Sequence, residues 1–468
     1  MIDLRRPRQR SFGEGLIEEE TVGLWEPWMS QADQILEDEQ LIQAVYDALL
    51  KRHPKSRTRG RRGVAAEIVL RMLLLKHIRN WSFQTLEREV RPNLVYREFT
   101  RIGAGKVPDA KTLGRQALAL GPEVVEKIHP RMVELAVENK VVQGRKMRVD
   151  TTVVETNIHY PTDSSLLGDG DRVLTRLMKK VTSIVGAVGT KLRNRMRSVQ
   201  RRVAEIARAS RAKGDKFKEK VPPLYGKLLA ITGRVMGQAK RFSAEIASGV
   251  KHSSDVLKRA ALEGLKREID DMTEIVKKVV RQSKARVFGG DTHVANKVLS
   301  VFETTTEVIR KGKASKPTEF GKMVKIQEAE HQIVIDFQVY DEKPSDSDLW
   351  IPSIETHQER MGRTPELAAA DAGFYSANNV AEAEEMGVKR VSVPNRSTRS
   401  QARKKLQKQR WFKKAQKWRT GCEGRISLLK RRHGLRRSLY KKDAGMKRWV
   451  GLGVIADNLI NIGKALAK

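Results

Sequence analysis

Apolar side chains crowd the chain after Gly63. Ile68, Leu70, Met72, Leu73, Leu74 and Ile78 fill so much of one stretch that they predict a helix buried over most of its surface. Ser82 then stands as an N-cap before SFQTLEREV, with Glu87 and Glu89 early in that helix, and Pro92 closes it. Asp109 caps AKTLGRQAL, and a longer helix runs from Glu123 to Asn139. Residues 1–62 read instead as irregular, ending in KRHPKSRTRGRR, where seven of the twelve positions 51–62 are Lys or Arg. The pattern therefore predicts a basic arm (1–62) followed by a helical region (63–145).

The period changes at KMRVDTTVVET (146–156), a β-branched run between Gly144 and the turn-rich NIHYPTDSS, which predicts a strand. Residues 172–286 return to helix. Leu177, Val181, Ile184, Val188, Leu192, Met196, Val199, Val203 and Ile206 form a nearly heptad seam with one stutter. Pro222 and Pro223 are expected to interrupt it, with further helices over 224–249 and 254–284. Strand patterns resume over 297–309, 321–330 and 331–342, followed by a helix over 346–362. ELAAADAGFYS (366–376) is a short apolar strand running into Asp371, and Ser376 opens the next helix. KRVSVP is a last strand before a long basic helix. The order predicts an α/β fold: a mixed sheet flanked by helices over 146–171 and 287–448, an all-helical insertion over 172–286, and a terminal helix over 449–468.

Charge sharpens this picture. The 468 residues carry a net charge of +36. Residues 172–286 hold 30 Lys or Arg against 10 acids, and residues 396–448 hold 21 against two, Glu423 and Asp443. These two blocks together exceed the whole-chain excess, so the rest of the chain is close to neutral. Two concentrated basic surfaces point to a polyanion, and to nucleic acid in particular. No apolar run is long enough to span a membrane, and the N-terminus lacks the apolar core of a secretory signal. A single cysteine, Cys422, excludes an intramolecular disulfide and a Cys-based zinc site, and fits a reducing compartment. It reads as a small buried residue, not a nucleophile.

Three acids stand apart from this background. Asp150 sits in the middle of a strand, where an unpaired carboxylate is costly. Asp371 stands at the C-terminal end of a parallel-type strand, where open α/β sheets bind ligands. Glu423 is nearly alone in a run of cations. Three oxygen donors of this kind suit Mg²⁺ or Mn²⁺, and two such ions could clamp the attacking and leaving oxygens of a phosphoryl transfer. Asp163 is a weaker fourth candidate that reads better as a turn cap. His159, His293, His331 and His433 are scattered and read as ordinary polar residues. Arg97, Arg101, Lys106, Lys111 and Arg115 line the short N-terminal helices in a helix-turn-helix-like series.

The order of a strand Asp, DAGF after a strand, and Arg419-x3-Glu423-x6-Lys430 on a late helix resembles the DDE transposases of bacterial insertion sequences. VDTTVVETNIHYPTDSSLL, GCEGRISLLKRRHGLRRSLY and the N-terminal GRRGVAAEIVLRMLLLKHIRNWSFQTLEREV are similar to the same family, so the resemblance covers about residues 60–460. It implies an RNase H-like core preceded by a helical DNA-binding region. It also implies that Asp150, Asp371 and Glu423 are the catalytic, metal-binding acids, served by Mg²⁺ or Mn²⁺, with two ions expected. Water would cut the element end, and the freed 3′-OH would attack target DNA. Arg419, Arg425, Lys430, Arg431, Lys111 and Arg115 are the expected DNA contacts. The expected partners are element-end inverted repeats, target DNA and a second copy of the chain, in the bacterial cytoplasm at the nucleoid. In one branch of the family a Tyr precedes the Arg; Gln416 stands there, a departure that bears on hairpin formation and not on the metal ligand. Two other classes fit part of the pattern. One is a metal-dependent nuclease that cuts without rejoining. The other is a non-catalytic DNA-binding protein, which leaves the strand acids unexplained.

Overall fold

The computed structural model describes residues 1–6, 20–21, 23–52, 54–60, 62–211, 215–310 and 318–468. The chain divides into two compact units, one formed by residues 1–157 with 307–468 and the other by residues 158–306. The second unit thus begins earlier and ends later than the 172–286 expected from charge and periodicity.

The first unit opens with helices Pro27–Ile35 (α1), Glu39–Arg52 (α2), Ala66–Arg79 (α3), Phe83–Val90 (α4), Leu94–Phe99 (α5), Ala110–Ala119 (α6) and Pro122–Glu138 (α7). The caps expected at Ser82 and Asp109 are present: their side chains accept the backbone N–H of Thr85 and Thr112. The expected irregular arm over 1–62 is corrected, because α1 and α2, of 9 and 14 residues, occupy more than a third of it; residues 7–19, 22, 53 and 61 lie outside the described residues. Trp28, Met29, Ala32, Leu36, Leu41 and Ile42 are buried in one core with α3 and α7. Burying these side chains, at about 1.5–3 kcal/mol for each large apolar one, holds the two helices in place.

The sheet follows. Strand Lys146–Glu155 (β1) pairs antiparallel with Thr318–Glu328 (β3) and parallel with Leu367–Ala369 (β5), which pairs parallel with Arg390–Ser392 (β6). Glu307–Arg310 (β2) and Val334–Val339 (β4) pair antiparallel with different lengths of β3. Of the strand expected over 297–309, only its end is strand. One long antiparallel pair at the centre with two short parallel strands beside it is the RNase H-like arrangement.

Period-two alternation sends β1 side chains to two cores. Met147, Val149 and Val153 pack with Trp350 and Ile354 of helix Trp350–Met361 (α12) and Ala383 of helix Ala377–Glu385 (α13). Val154 packs with Leu429 of helix Arg410–Arg432 (α15), which follows the short helix Gln401–Lys408 (α14), and with Met446 and Val450 of helix Lys442–Leu466 (α16). Asp150 therefore shares the face of β1 that meets α15. The terminal helix α16 starts at Lys442, before the expected 449, and its later turns join the core of the N-terminal helices.

The second unit consists, among the described residues, of helices Asp163–Val185 (α8), Met196–Ala209 (α9), Asp215–Ala247 (α10) and Val256–Gly289 (α11). A capping box at Thr162 and Ser165 starts α8, which explains why this unit begins ahead of residue 172. The seam expected to run unbroken from Leu177 to Ile206 is corrected. Gly186 and Gly189, both with positive φ, turn the chain between α8 and α9, and Val188 is exposed. Pro222 and Pro223 do not break α10, whose buried Val221, Tyr225 and Leu228 hold it in a core with Val199 and Ile206. Packing overrides propensity there.

Candidate functional site

Polar contacts add to the Val154–Leu429 packing that seats helix α15 on the sheet. Arg148, on the same face of β1 as Asp150, donates through Nη1 to the Trp418 carbonyl at 2.6 Å, and its guanidinium lies 4.8 Å from the centre of the Trp418 ring. A Cβ at Gly421 would come within 2.3 Å of Arg148 Nη1, so a larger residue there would push the Arg148 guanidinium from its place. Gln416 donates through Nε2 to the Ser392 carbonyl at 2.7 Å and to the Ala370 carbonyl at 3.2 Å, binding the helix to the ends of β5 and β6. Cys422 is fully buried beneath this seat and burial pushes its thiol well up, in keeping with a packing role.

That seat brings the three acids to one cleft of about 1370 Å³, lined by Asp150, Asp371 and Glu423. Asp371 stands two residues past the end of β5 and caps a short turn, its Oδ1 accepting the Gly373 N–H at 2.9 Å. Asp150 Oδ1 accepts the Thr151 N–H at 2.7 Å. Glu423, well exposed on α15, accepts from Arg419 Nη1 at 2.7 Å, and the same Nη1 is 3.7 Å from Asp150 Oδ2. The acids share a cleft without closing on a point: among the described residues no three His, Cys, Asp or Glu are grouped so as to hold a metal ion.

The expected DNA contacts separate. Arg419, Lys430 and Arg431 are at the cleft, the last two in its lining. Lys111 and Arg115 are exposed on α6, outside that lining. Arg425 is corrected: it is 4% exposed and pairs with buried Asp457 at 2.8 Å, which leaves it no surface for DNA. Of the helix-turn-helix series, Arg97 donates to the carbonyls of Arg91, Gly103 and Gly105, and Arg101 pairs with Asp33 and Glu37; both are used internally. Asp163 lies buried in the helical unit against Arg286 and Gln282.

Asp346 was missed. It lines the cleft, accepts from Thr151 Oγ1 at 3.0 Å, and shares with Asp371 the space above Gly373. An acid opening a helical turn is so ordinary that its spacing carries no signal. Arg310, Lys343, Arg436 and Arg437 also line the cleft. Arg436 and Arg437 belong to the basic block and were within reach of its charge count. The other two needed the fold.

Two family models match the chain. Residues 29–116 match one described as Transposase domain (DUF772), and residues 300–459 match one described as Transposase DDE domain. The chain belongs to the DDE transposases of insertion-sequence type. The second match contains Asp371 and Glu423, while Asp150 lies before it on the central strand that the same sheet requires. No curated protein and no solved structure matches this transposase.

Family membership implies dependence on a divalent metal, and the donor set fits one. Carboxylate oxygens are the ligands hard divalent cations take, and the basic lining suits the phosphates that complete their coordination. Among the described residues, no helix of the transposase is long and apolar enough to cross a membrane.

Proposed function

We propose that this transposase cuts DNA at the ends of its insertion sequence and joins the freed 3′ ends to target DNA. The observation that carries the reading is the meeting of Asp150, Asp371 and Glu423, far apart in sequence, in one cleft with a cationic lining. Water attacks the scissile phosphorus and the bond to the 3′ oxygen breaks; the resulting 3′-OH then attacks a target phosphorus and displaces another 3′ oxygen. Both steps exchange one phosphodiester or water oxygen for another and need no oxidant or reductant.

In this reading Asp150, Asp371 and Glu423 hold Mg²⁺ or Mn²⁺, two ions being the arrangement that suits in-line transfer. Bound there, the metal polarises phosphoryl oxygen and makes water or a 3′-OH a better nucleophile. Lys430, Arg431, Arg436 and Arg437 hold the DNA backbone over the acids. The helical unit supplies a second grip. Gln238 ties the loop carrying Arg193 and Arg195 to α10 through the Lys191 carbonyl at 2.8 Å. Arg195 is lowered by burial first and then by Arg193, Arg234 and Arg241, a concentration of cations suited to phosphate. A dimer or larger assembly on paired ends, in the bacterial cytoplasm, completes the reading.

The test is incubation of the full chain with plasmid DNA carrying the element ends, with and without Mg²⁺ or Mn²⁺. Metal-dependent cuts at the ends and joined target products are expected. Cuts without joining would make it a nuclease, and binding without cuts a DNA-binding protein.

A further inference from the structure

Two of the three acids already share a cation that belongs to the protein itself. Arg419 Nη1 donates to Glu423 Oε1 at 2.7 Å and lies 3.7 Å from Asp150 Oδ2, so one guanidinium nitrogen serves two of the three acids. The arginine and Asp150 side chains are 12% and 13% exposed, whereas Glu423 is 57% exposed. A metal held by Asp150 and Glu423 needs these same carboxylate oxygens and brings the same sign of charge. Guanidinium and metal therefore compete.

Arg419 is also incompletely used where it stands. Its Nε is buried and, among the described residues, meets no acceptor. An arginine carries five donors in a planar fork that matches phosphate. Its bond to Glu423 is an i,i+4 pair with one well-exposed partner, a kind that contributes little and breaks readily. A phosphate entering the cleft offers a charge-assisted, bidentate alternative.

We propose that Arg419 is an internal counter-ion that couples DNA to the metal: without DNA it neutralises Asp150 and Glu423 and weakens metal binding, and a backbone phosphate draws it away and frees the carboxylates. The inference rests on the functional reading above and adds regulation to that site. Coupling of this kind is reciprocal, so metal must tighten DNA binding by the same factor. It withholds the hydrolytic site from solution until DNA is seated.

Mn²⁺ binding to the full chain, followed by the paramagnetic resonance of the free ion, tests this without any reading of activity. Without DNA, Arg419→Gln is expected to bind Mn²⁺ about tenfold more tightly than the parent, within the usual range of site coupling. Arg419→Lys keeps the charge but loses the planar fork, and is expected to gain part of that increase; it also covers the case in which the glutamine variant does not fold. Lys430→Gln removes one charge from the same cleft and is expected to change affinity much less. Adding a short DNA duplex is expected to tighten the parent more than Arg419→Gln, so that the two converge. Equal affinity of parent and Arg419→Gln, an equal gain in Lys430→Gln, or equal tightening by DNA would overturn the coupling while leaving the metal site in place. Unchanged Mn²⁺ binding in Asp150→Asn and Glu423→Gln would remove the metal site itself, and the functional reading with it.

Discussion

Arg148 and Glu328 face each other in register across β1 and β3, and Arg148 Nε donates to Glu328 Oε2 at 2.9 Å in the buried core. The same guanidinium reaches the Trp418 carbonyl, one residue before Arg419, so a charge pair inside the sheet sets the height of α15 over Asp150. Removing one partner leaves a buried charge uncompensated. Arg148→Leu is expected to cost about 3–5 kcal/mol. Adding Glu328→Leu should restore part of that stability and little of the DNA cleavage, because the tie to Trp418 stays lost. Denaturant unfolding and plasmid cleavage on the single and double variants check this; full recovery of both would reduce the pair to packing.

Gln416 takes the place where one branch of the family carries Tyr, and its amide does structural work there. Its Nε2 serves the Ser392 carbonyl and Oγ and the Ala370 carbonyl, adjoining Asp371. Gln416→Leu keeps bulk but removes these three bonds, although the Ser392 carbonyl still accepts the Ala370 N–H at 3.2 Å, and the expected cost is about 1–3 kcal/mol. Cleavage should fall by more than the loss of folded protein accounts for, since Asp371 and Glu423 are no longer tied through one amide. Comparison of the folded fraction by circular dichroism with cleavage rate decides this. A rate that merely tracks the folded fraction would assign Gln416 to stability alone.

The alternation around Asp150, the apolar run into Asp371 and the isolation of Glu423 were readable because each depends on near neighbours in sequence. So were the caps at Ser82 and Asp109. Residues whose roles depend on distant partners were not. Arg425 looks like any cation of the basic block until α16 brings Asp457 against it, and Arg101 until α1 brings Asp33. Helices α1 and α2 were missed because Trp28, Met29, Leu41 and Ile42 stand among acids and turn residues, and only the shared core with α3 and α7 reveals their face. The glycine break between α8 and α9 interrupts a seam whose apolar spacing continues through it.

Glu423 and Asp443 are the two acids of the basic block, and the structure gives them different surroundings. Asp443 lies in the first turn of α16, where a carboxylate favours the helix dipole by about 0.3–1 kcal/mol. Glu423 faces the cleft beside Arg419. Asp443→Asn is expected to keep most of its activity. Glu423→Gln is expected to bind element-end DNA at least as tightly as the parent, one repulsive charge being gone, yet to show no detectable cleavage or strand transfer with Mg²⁺ or Mn²⁺. Gel-shift and plasmid assays on the two variants separate these outcomes. Equal loss in both would return Glu423 to charge balance.

Asp171 gives the helical unit a pH dependence of its own. It is fully buried within α8, and its Oδ2 accepts from Thr232 Oγ1 of α10 at 2.9 Å. Burial pushes its carboxyl up to about 7, against the smaller opposing effect of that hydrogen bond, from an ordinary value of 3.8. In the folded chain the group keeps a proton that the unfolded chain releases between these two values. Its contribution to stability is therefore fullest below pH 3.8 and is lost as pH rises through 7. The full swing is on the order of a few kcal/mol. Asp171→Asn keeps a hydrogen-bonding group of the same size with no proton to lose. Its stability relative to the parent is expected to rise between about pH 5 and about pH 8, with the variant the more stable at the upper end. Thermal unfolding of both proteins at the two pH values measures the difference directly, and the subtraction removes every group they share. A parent-to-variant difference that does not change with pH would mean that Asp171 is charged in the folded protein, with water or a cation reaching it between α8 and α10.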